Sequence, residues 1–381
     1  TTVMVFSVWL LMASFVAVTR VVGGERVRAF NFSMAASPRQ TVGILSSVVI
    51  SLVVVIVFLF FASAIYASDI FYRKGLLAGA DSKKYDEAQT SLERAARLNR
   101  FRPDYYLTYG EFLFLRINQE LAKEKPNLGQ IQIWLAASIN TSRQAVNLSP
   151  ANWTAWERLA NLYTFARPLV AGVDKFIIES LTRATENDTK NPILWAELGQ
   201  IYRLAARRLD PAILGAGVDG DSDGLSDTQE QALGSDVNDP DTNGNGVLDG
   251  NEVLAGLNPA GSGNLPDNFL VRYIKIDPES LIRAEEAFRK ALALKEDYAA
   301  AYYQLALTLE QANKADKAIE ELLRALQRFP TNVTIKFDLG RLYFNTGKVD
   351  EAARQFQEIV ILVPNNSNAL FSLAVSYERL G

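Results

Sequence analysis

The chain has 381 residues, a formal net charge of −4, and neither cysteine nor histidine. Those two absences exclude disulfides, thiolate or imidazole metal ligands, and every catalytic pairing that needs Cys or His. The acidic balance gives no overall attraction to nucleic acid, which is not expected as a partner.

The first 70 or so residues are far more apolar than the rest. Val3–Val18 is an uncharged run ending at Arg20, about long enough for a short bilayer span. A signal peptide is the rival reading, but the basic start and small-residue cleavage site are missing. Val42–Tyr66 is a longer charge-free run rich in Val, Ile and Phe, apolar all round and therefore read as membrane-spanning. We expect a membrane region over 1–68 with spans at about 3–19 and 42–66. Between them, Arg20, Arg26, Arg28 and Arg39 stand against one acid, Glu25. Short Arg-rich loops stay cytoplasmic, so everything after Ser68 is expected outside the cytoplasm, at the cell surface or in the periplasm. Thr1 is not an initiator and the helical pattern still runs at Gly381, so a fragment or processed product is expected.

From Asp69 onward the sequence repeats with a period of about 34 residues, the mark of stacked helical hairpins. Leu339, Gly340 and Tyr343 fall on one helix; Ala352, Phe356 and Pro364 fall on and after the next. Leu305, Ala306, Ala318, Leu322, Ala325 and Pro330 occupy the same slots one period earlier, and Leu373, Ala374 and Tyr377 one period later. Trp195, Leu198, Gly199 and Tyr202 spell W-x2-L-G-x2-Y, and Trp156, Leu159, Ala160 and Tyr163 repeat it with Ala for Gly. The pattern resembles the tetratricopeptide repeat. The resemblance implies an α-solenoid in which Gly199, Gly340, Ala88 and Ala318 let paired helices approach closely. Trp195, Tyr202 and Phe356 would fill the space between hairpins, and Pro330 or Pro364 would end the second helices.

Counted this way, repeats lie near 69–102, 103–152, 153–191, 192–298, 299–332 and 333–366, with a half-repeat at 367–381. The first lacks a distinct first helix, as if that helix continued from the membrane span. The second carries extra residues around Leu121–Gln132. The fourth is far too long, because an insertion replaces the turn inside one hairpin, between a first helix at Asn191–Arg208 and a second beginning near Pro278. The expected fold class is thus all-α: two N-terminal transmembrane helices, then a solenoid of hairpins interrupted by a loop-rich insertion. The domain boundaries read as 1–68, 69–211, 212–265 and 266–381.

The insertion holds two twelve-residue blocks, Asp219–Glu230 and Asp241–Glu252, each with Asp or Asn at positions 1, 3 and 5, Gly at 6, Asp at 9 and Glu at 12. That is the oxygen-ligand spacing of a calcium loop. In the first, Asp219, Asp221, Asp223, Asp227 and Glu230 would supply side-chain oxygens and Leu225 its carbonyl. In the second, Asp241, Asn243, Asn245, Asp249 and Glu252 are the equivalents, with Val247 giving the carbonyl. All-oxygen donors in a flexible loop suit Ca2+ better than Mg2+, so two Ca2+ sites are expected. The second has fewer charges and should be the weaker. The competing reading is a solvated acidic linker. With LGSDVNDPD and AGLNP following the loops, the stretch resembles the thrombospondin type 3 calcium repeat, in which Asp236 or Asn238 would add ligands. A paired EF-hand needs a helix entering each loop, and Ala212–Gly217 is too short and Gly-rich to be one. Extracellular calcium modules hold their ion constitutively, so the expected role is a brace rather than a sensor.

No phosphate-binding loop or dinucleotide fingerprint occurs, and adjacent carboxylates such as Glu285–Glu286 and Glu320–Glu321 read as solvated helix faces. The function expected is a membrane-anchored scaffold holding a protein or peptide partner in the solenoid groove. The alternative is the C-terminal tail of a polytopic glycan enzyme resembling O-antigen ligases or polymerases, with no catalytic residue assignable in this chain. A calcium-dependent surface or adhesion protein is a third reading.

Overall fold

The computed structural model describes residues 38–209, 217–261, 263–265 and 274–381. The first expected span, at 3–19, lies outside them. The described residues fall into two compact units, one ending at Leu148 and the other running from Ser149 to Gly381.

The first unit begins with one unbroken helix, α1 (Pro38–Gly79), of 42 residues. Its part from Val49 to Gly79 is long and apolar enough to cross a membrane by length and composition. Phe60 is 68% exposed there, beside exposed Val53, Phe58 and Leu59. Beyond the expected end of the span at Tyr66, the helix simply continues. Its last turns bury Ser68 and Ala78, and Gly75 sits so close to α2 (Tyr85–Leu98) that a Cβ there would lie 2.7 Å from Leu92 Cγ. The long apolar helix therefore doubles as the first helix of the first hairpin. Asp69 on α1 receives Tyr105 Oη and, at 2.8 Å, Arg102 Nη1 from the start of the next hairpin. That hairpin is α3 (Pro103–Leu121) and α4 (Leu128–Leu148), and its helices absorb much of the extra length seen in the sequence. Gly110 on α3 lets Ser138 Oγ donate to its carbonyl at 2.8 Å.

The second unit stacks α5 (Trp153–Ala166) with α6 (Asp174–Asn187), α7 (Pro192–Ala205) with α10 (Pro278–Leu294), α11 (Ala299–Gln311) with α12 (Ala315–Arg328), and α13 (Val333–Asn345) with α14 (Val349–Leu362). A single helix, α15 (Ser367–Leu380), follows. Helix starts are written in the sequence: Asn152, Asn191, Asp277, Asn332 and Asn366 each accept a first-turn backbone N–H, and Pro192 and Pro278 occupy the first helical position. The core forms where small meets large. Phe288 and Phe356 pack against Gly199 and Gly340, where a Cβ would come within 3.0 and 2.7 Å of the respective rings.

The second helix of the interrupted hairpin begins at Pro278, as the spacing predicts. The purely α expectation misses one feature. The chain leaves α7 through β1 (Arg207–Leu209) and returns through β2 (Ile274–Ile276), paired antiparallel with Arg207 opposite Ile276. Asp277 N donates to Ala206 O at 2.8 Å, and Arg208 Nη2 reaches Asp277 Oδ2 at 3.1 Å. The ribbon closes the neck of the excursion, so α7 and α10 pack as a continuous pair despite the residues between them.

Candidate metal centre

Both acidic loops adopt one scaffold. The N–H of position 6 donates to the carboxylate of position 1: Gly224 N to Asp219 Oδ2 at 3.2 Å, and Gly246 N to Asp241 Oδ2 at 2.7 Å. Position 5 donates to position 3, as Asp223 N to Asp221 Oδ1 and Asn245 N to Asn243 Oδ1. Position 7 donates to position 5, as Leu225 N to Asp223 Oδ1 and Val247 N to Asn245 Oδ1. The N–H of position 2 goes to position 9, as Gly220 N to Asp227 Oδ1 and Thr242 N to Asp249 Oδ1, both at 3.0 Å. Gly224 and Gly246 take φ of +101° and +87°, the left-handed turn that position 6 requires.

Each loop runs into a short helix, α8 (Asp227–Leu233) and α9 (Asp249–Ala255), which places the final Glu in the first or second turn. Left-handed glycines, Gly234 and Gly256, end them. Leu225, Val253 and Leu265 are buried together with Leu233 packed against them, giving the module a small core of its own. The module also touches the connection between α5 and α6. Leu248 N donates to Pro168 O at 2.9 Å, and Asn251 Nδ2 reaches Arg167 O at 2.9 Å.

Within this common frame the two loops differ chemically. Carboxylate oxygens of Asp219, Asp221 and Asp223 lie within 4.8 Å of one another. Glu230 is fully buried, and neither of its oxygens has a partner; Asp221 Oδ2 is likewise enclosed and unpartnered. Burial, and then the charges of Asp221, Asp223, Asp227 and Asp219, push Glu230 up to about 7. Burial also pushes Asp223 up to about 6, against the opposing pull of the N–H bonds from Leu225 and Gly250. In the second loop Glu252 has its oxygens satisfied by Asn243 Nδ2 at 2.9 Å and Asn245 Nδ2 at 2.8 Å. Asp249, buried and raised by desolvation, spends Oδ2 on the Thr242 hydroxyl at 2.7 Å and Oδ1 on its N–H. The roles of Thr242 and Asn251 have no signal in the loop spacing. Asp236, singled out between the loops, has its N–H on Thr242 Oγ1, and its Oδ1 accepts from Asn238 N.

The first loop's donor set fits a hard cation. It is all oxygen, it gathers like charges, and its fully buried Glu230 carboxylate has nothing else to bond. The second loop can satisfy itself through two asparagine amides.

Comparisons with known proteins bear on the hairpins. Tetratricopeptide repeat models match residues 283–333 and 314–374, so the C-terminal hairpins are tetratricopeptide repeats. The protein O-mannosyl-transferase Tmtc3 of Drosophila melanogaster is 30% identical over 110 residues, which make up 29% of this chain and 12% of that protein. The chain therefore spans only a small part of that relative. Among solved structures, a crystal structure of the MamA protein is similar with a TM-score of 0.41 and 16% identity, covering 70% of this chain and 94% of that one. YrrB, described as a TPR protein with an unusual peptide-binding site, is similar with a TM-score of 0.41 and 13% identity, covering 74% of this chain and 96% of its own.

Proposed function

We propose that this chain is a membrane-anchored scaffold whose tetratricopeptide hairpins hold a protein or peptide partner outside the cytoplasm, braced by a two-site calcium module. The anchor is α1, with the expected span at 3–19 as a second. Asp219, Asp221, Asp223, Glu230 and the Leu225 carbonyl would hold the first Ca2+, with Asp227 fixing the loop from position 9. Asp241, Asn243, Asn245, Glu252 and the Val247 carbonyl would hold the second once the asparagine amides turn their oxygens inward, with Asp249 fixing that loop. The ion supplies charge neutralisation and cross-linking of chain segments, not catalysis.

The observation that carries the calcium reading is Glu230: a buried carboxylate with two orphaned oxygens in a ring of aspartates. Leaving it so is costly, and one divalent ion removes the cost. Calorimetric titration of the detergent-solubilised chain with Ca2+ tests it. A first site tighter than the second supports it, and no heat of binding at millimolar Ca2+ overturns it. The scaffold reading is tested by photo-crosslinking in intact cells from Gln200, an exposed position on α7. One or a few reproducible protein adducts support it; their absence counts against it.

A second reading makes the hairpins the tail of a larger glycan-handling membrane enzyme, of the O-antigen ligase or polymerase kind. The likeness to Tmtc3, named as an O-mannosyl-transferase, favours it.

A further inference from the structure

In the first unit, α1 carries no charge from Gln40 until Asp69. At a rise of about 1.5 Å per residue, Asp69 lies about 4.5 Å beyond Tyr66, within the thickness of a lipid headgroup layer, about 5–7 Å. Asp69 also marks which turn of the unit is level with that point. Arg102 Nη1 donates to its carboxylate at 2.8 Å and Tyr105 Oη donates to the same oxygen. Buried Ser68 Oγ lies 3.4 Å from the Tyr105 hydroxyl. The α2–α3 turn, 99–102, is thus fixed beside the place where the charge-free stretch of α1 ends. The other turns of the unit lie at the opposite end of its hairpins. The α1–α2 turn follows Gly79, about 15 Å further along α1. The α3–α4 turn is near it, because Gln119 Nε2 on the last turn of α3 donates to Tyr85 Oη at the start of α2, at 3.0 Å.

Chemistry separates the two ends. The far turns are polar: Asp81, Ser82, Lys83 and Lys84 in one, and 123–127, Lys-Glu-Lys-Pro-Asn, in the other. The level turn instead presents Phe101, 83% exposed, more than any other large apolar side chain among the described residues, with Leu98 exposed just before it. The turn is well held. Phe101 N donates to Asn99 Oδ1 at 3.3 Å, Asn99 N donates to Ala95 O at 3.1 Å, and the Arg102 guanidinium lies 4.9 Å from the centre of the buried Tyr105 ring. Arg97 and Arg100 flank the ring, both exposed; Arg97 is bonded to Glu93 at 2.5 Å, and Arg100 has no ion pair among the described residues. A lone exposed phenyl group needs no explanation. This one stands on a rigid turn, level with the end of a long apolar helix, between two arginines whose stems can lie on apolar surface while their charges reach a polar boundary.

We propose, building on the reading of α1 as the anchor, that the α2–α3 turn is a second contact with the bilayer. Phe101 and Leu98 lie in the headgroup layer on the side where α1 emerges, and Arg97 and Arg100 reach lipid phosphates. Continuity with the exposed apolar surface of α1, which includes Ile65, Tyr66 and Ile70, favours lipid as the occupant. A helix tilt of about 20° shifts a turn one helix spacing away by only about 3 Å, less than the layer's thickness. Two contacts on one hairpin set its orientation on the membrane. The headgroup layer is hydrated, so a thiol at position 101 stays within reach of water on that side.

Because the chain has no cysteine, Phe58→Cys, Ser82→Cys and Phe101→Cys each give a single thiol. Each full chain is labelled with a nitroxide in detergent and reconstituted into phosphatidylcholine vesicles containing about one third phosphatidylglycerol. All three positions are exposed, so each labelled chain keeps the native melting temperature. Collisions with oxygen report lipid, and collisions with a nickel chelate present on both faces report water. Position 58 is expected to read as lipid, position 82 as water, and position 101 to meet the chelate at least about twofold less often than 82. Adding Arg97→Gln and Arg100→Gln should raise chelate collisions at 101; no change overturns the phosphate contact. If 58 reads as lipid while 101 meets the chelate as often as 82, this inference fails and the anchor stands. If 58 also reads as water, the anchor reading fails with it. Dipolar broadening between labels at 101 would assign the shielding to a second copy of the chain and overturn the lipid contact.

Discussion

Asp223 Oδ2 accepts the backbone N–H of Gly250 at 2.9 Å, tying the fifth position of the first acidic loop to the helix that closes the second. The approach is so tight that a Cβ on Gly250 would lie 2.6 Å from Asp223 O. The two loops are therefore one mechanical unit, and a cation held by Asp223 would fix α9 as well. Gly250→Ala is expected to pry them apart at a cost of about 1–3 kcal/mol, the range for overpacking against rigid backbone. Hydrogen exchange should show faster opening across 219–252 with little change in α11–α14. Equal protection in the variant would break the link.

Glu230→Gln removes the buried charge that only the first loop leaves unbonded. It should weaken the tighter Ca2+ site by at least about tenfold, as expected for loss of a carboxylate ligand from an oxygen shell. It should also make the apo module more resistant to proteolysis, because the repulsion among Glu230, Asp221 and Asp223 falls. Glu252→Gln should do much less to the apo form, since Asn243 and Asn245 already satisfy that side chain. Chelation of the native chain should expose 217–261 to protease while the flanking helices stay protected.

The hairpins were legible from the sequence because their signals are local: a period, Asn and Pro at helix starts, and Gly opposite Phe. Pro278 marked the restart of the interrupted hairpin for the same reason. The β1–β2 clasp was not legible. Arg207–Leu209 carries no strand pattern, the alternation Ile-Lys-Ile at Ile274–Ile276 is too short to read as a strand, and their pairing depends on α7 and α10 bringing them together. The loop spacing identifies positions 1 to 12 but not what their second oxygens bond. That Asp249 serves Thr242, or that Asn251 reaches the carbonyls of Arg167 and Pro168, follows only from tertiary placement. The junction at Tyr66 was blurred because nothing in the sequence stops the helix there.

The two close-approach glycines should respond differently to one added methyl. Either change to Ala gains about 1 kcal/mol of helix propensity. At Gly199 the Phe288 ring lies 3.0 Å from the new Cβ and needs only a small shift, so Gly199→Ala should be near neutral. At Gly340 the contact is tighter, 2.7 Å from a Phe356 ring that is buried like that of Phe288, so the ring must shift further. Gly340→Ala is expected to lower stability by about 1–2 kcal/mol net. Thermal melts of both variants decide it, and equal melting temperatures would refute the distinction.

Glu197 should leave a mark on the pH dependence of stability. Its folded value, raised to about 7 by burial and then by Glu157, lies above the ordinary carboxylate range. The folded state therefore holds a proton that the unfolded chain has released, so stability falls as pH rises from about 4.5 to 7 and levels off above. Glu197→Gln should remove that slope and raise stability at pH 8 by about 1–3 kcal/mol. Melting temperatures between pH 5 and 8 at saturating Ca2+ provide the check. A native profile that is flat, or unchanged by the substitution, would contradict it.

The proposed placement of the hairpins outside the cytoplasm would tie the proposed anchor to the proposed calcium module, because sites with affinities of roughly 10⁻⁴ to 10⁻³ M stay filled only where calcium is abundant. The chain has no cysteine, so one introduced thiol reports its own side of the membrane without background. Phe101, 83% exposed between α2 and α3, tolerates the change without loss of packing. Phe101→Cys should react with a membrane-impermeant maleimide added to intact cells or spheroplasts, before any permeabilisation. Labelling only after lysis would put the hairpins in the cytoplasm, where such sites would stand empty. The constitutive brace would then fail together with the topology, even if purified protein bound calcium at millimolar concentration.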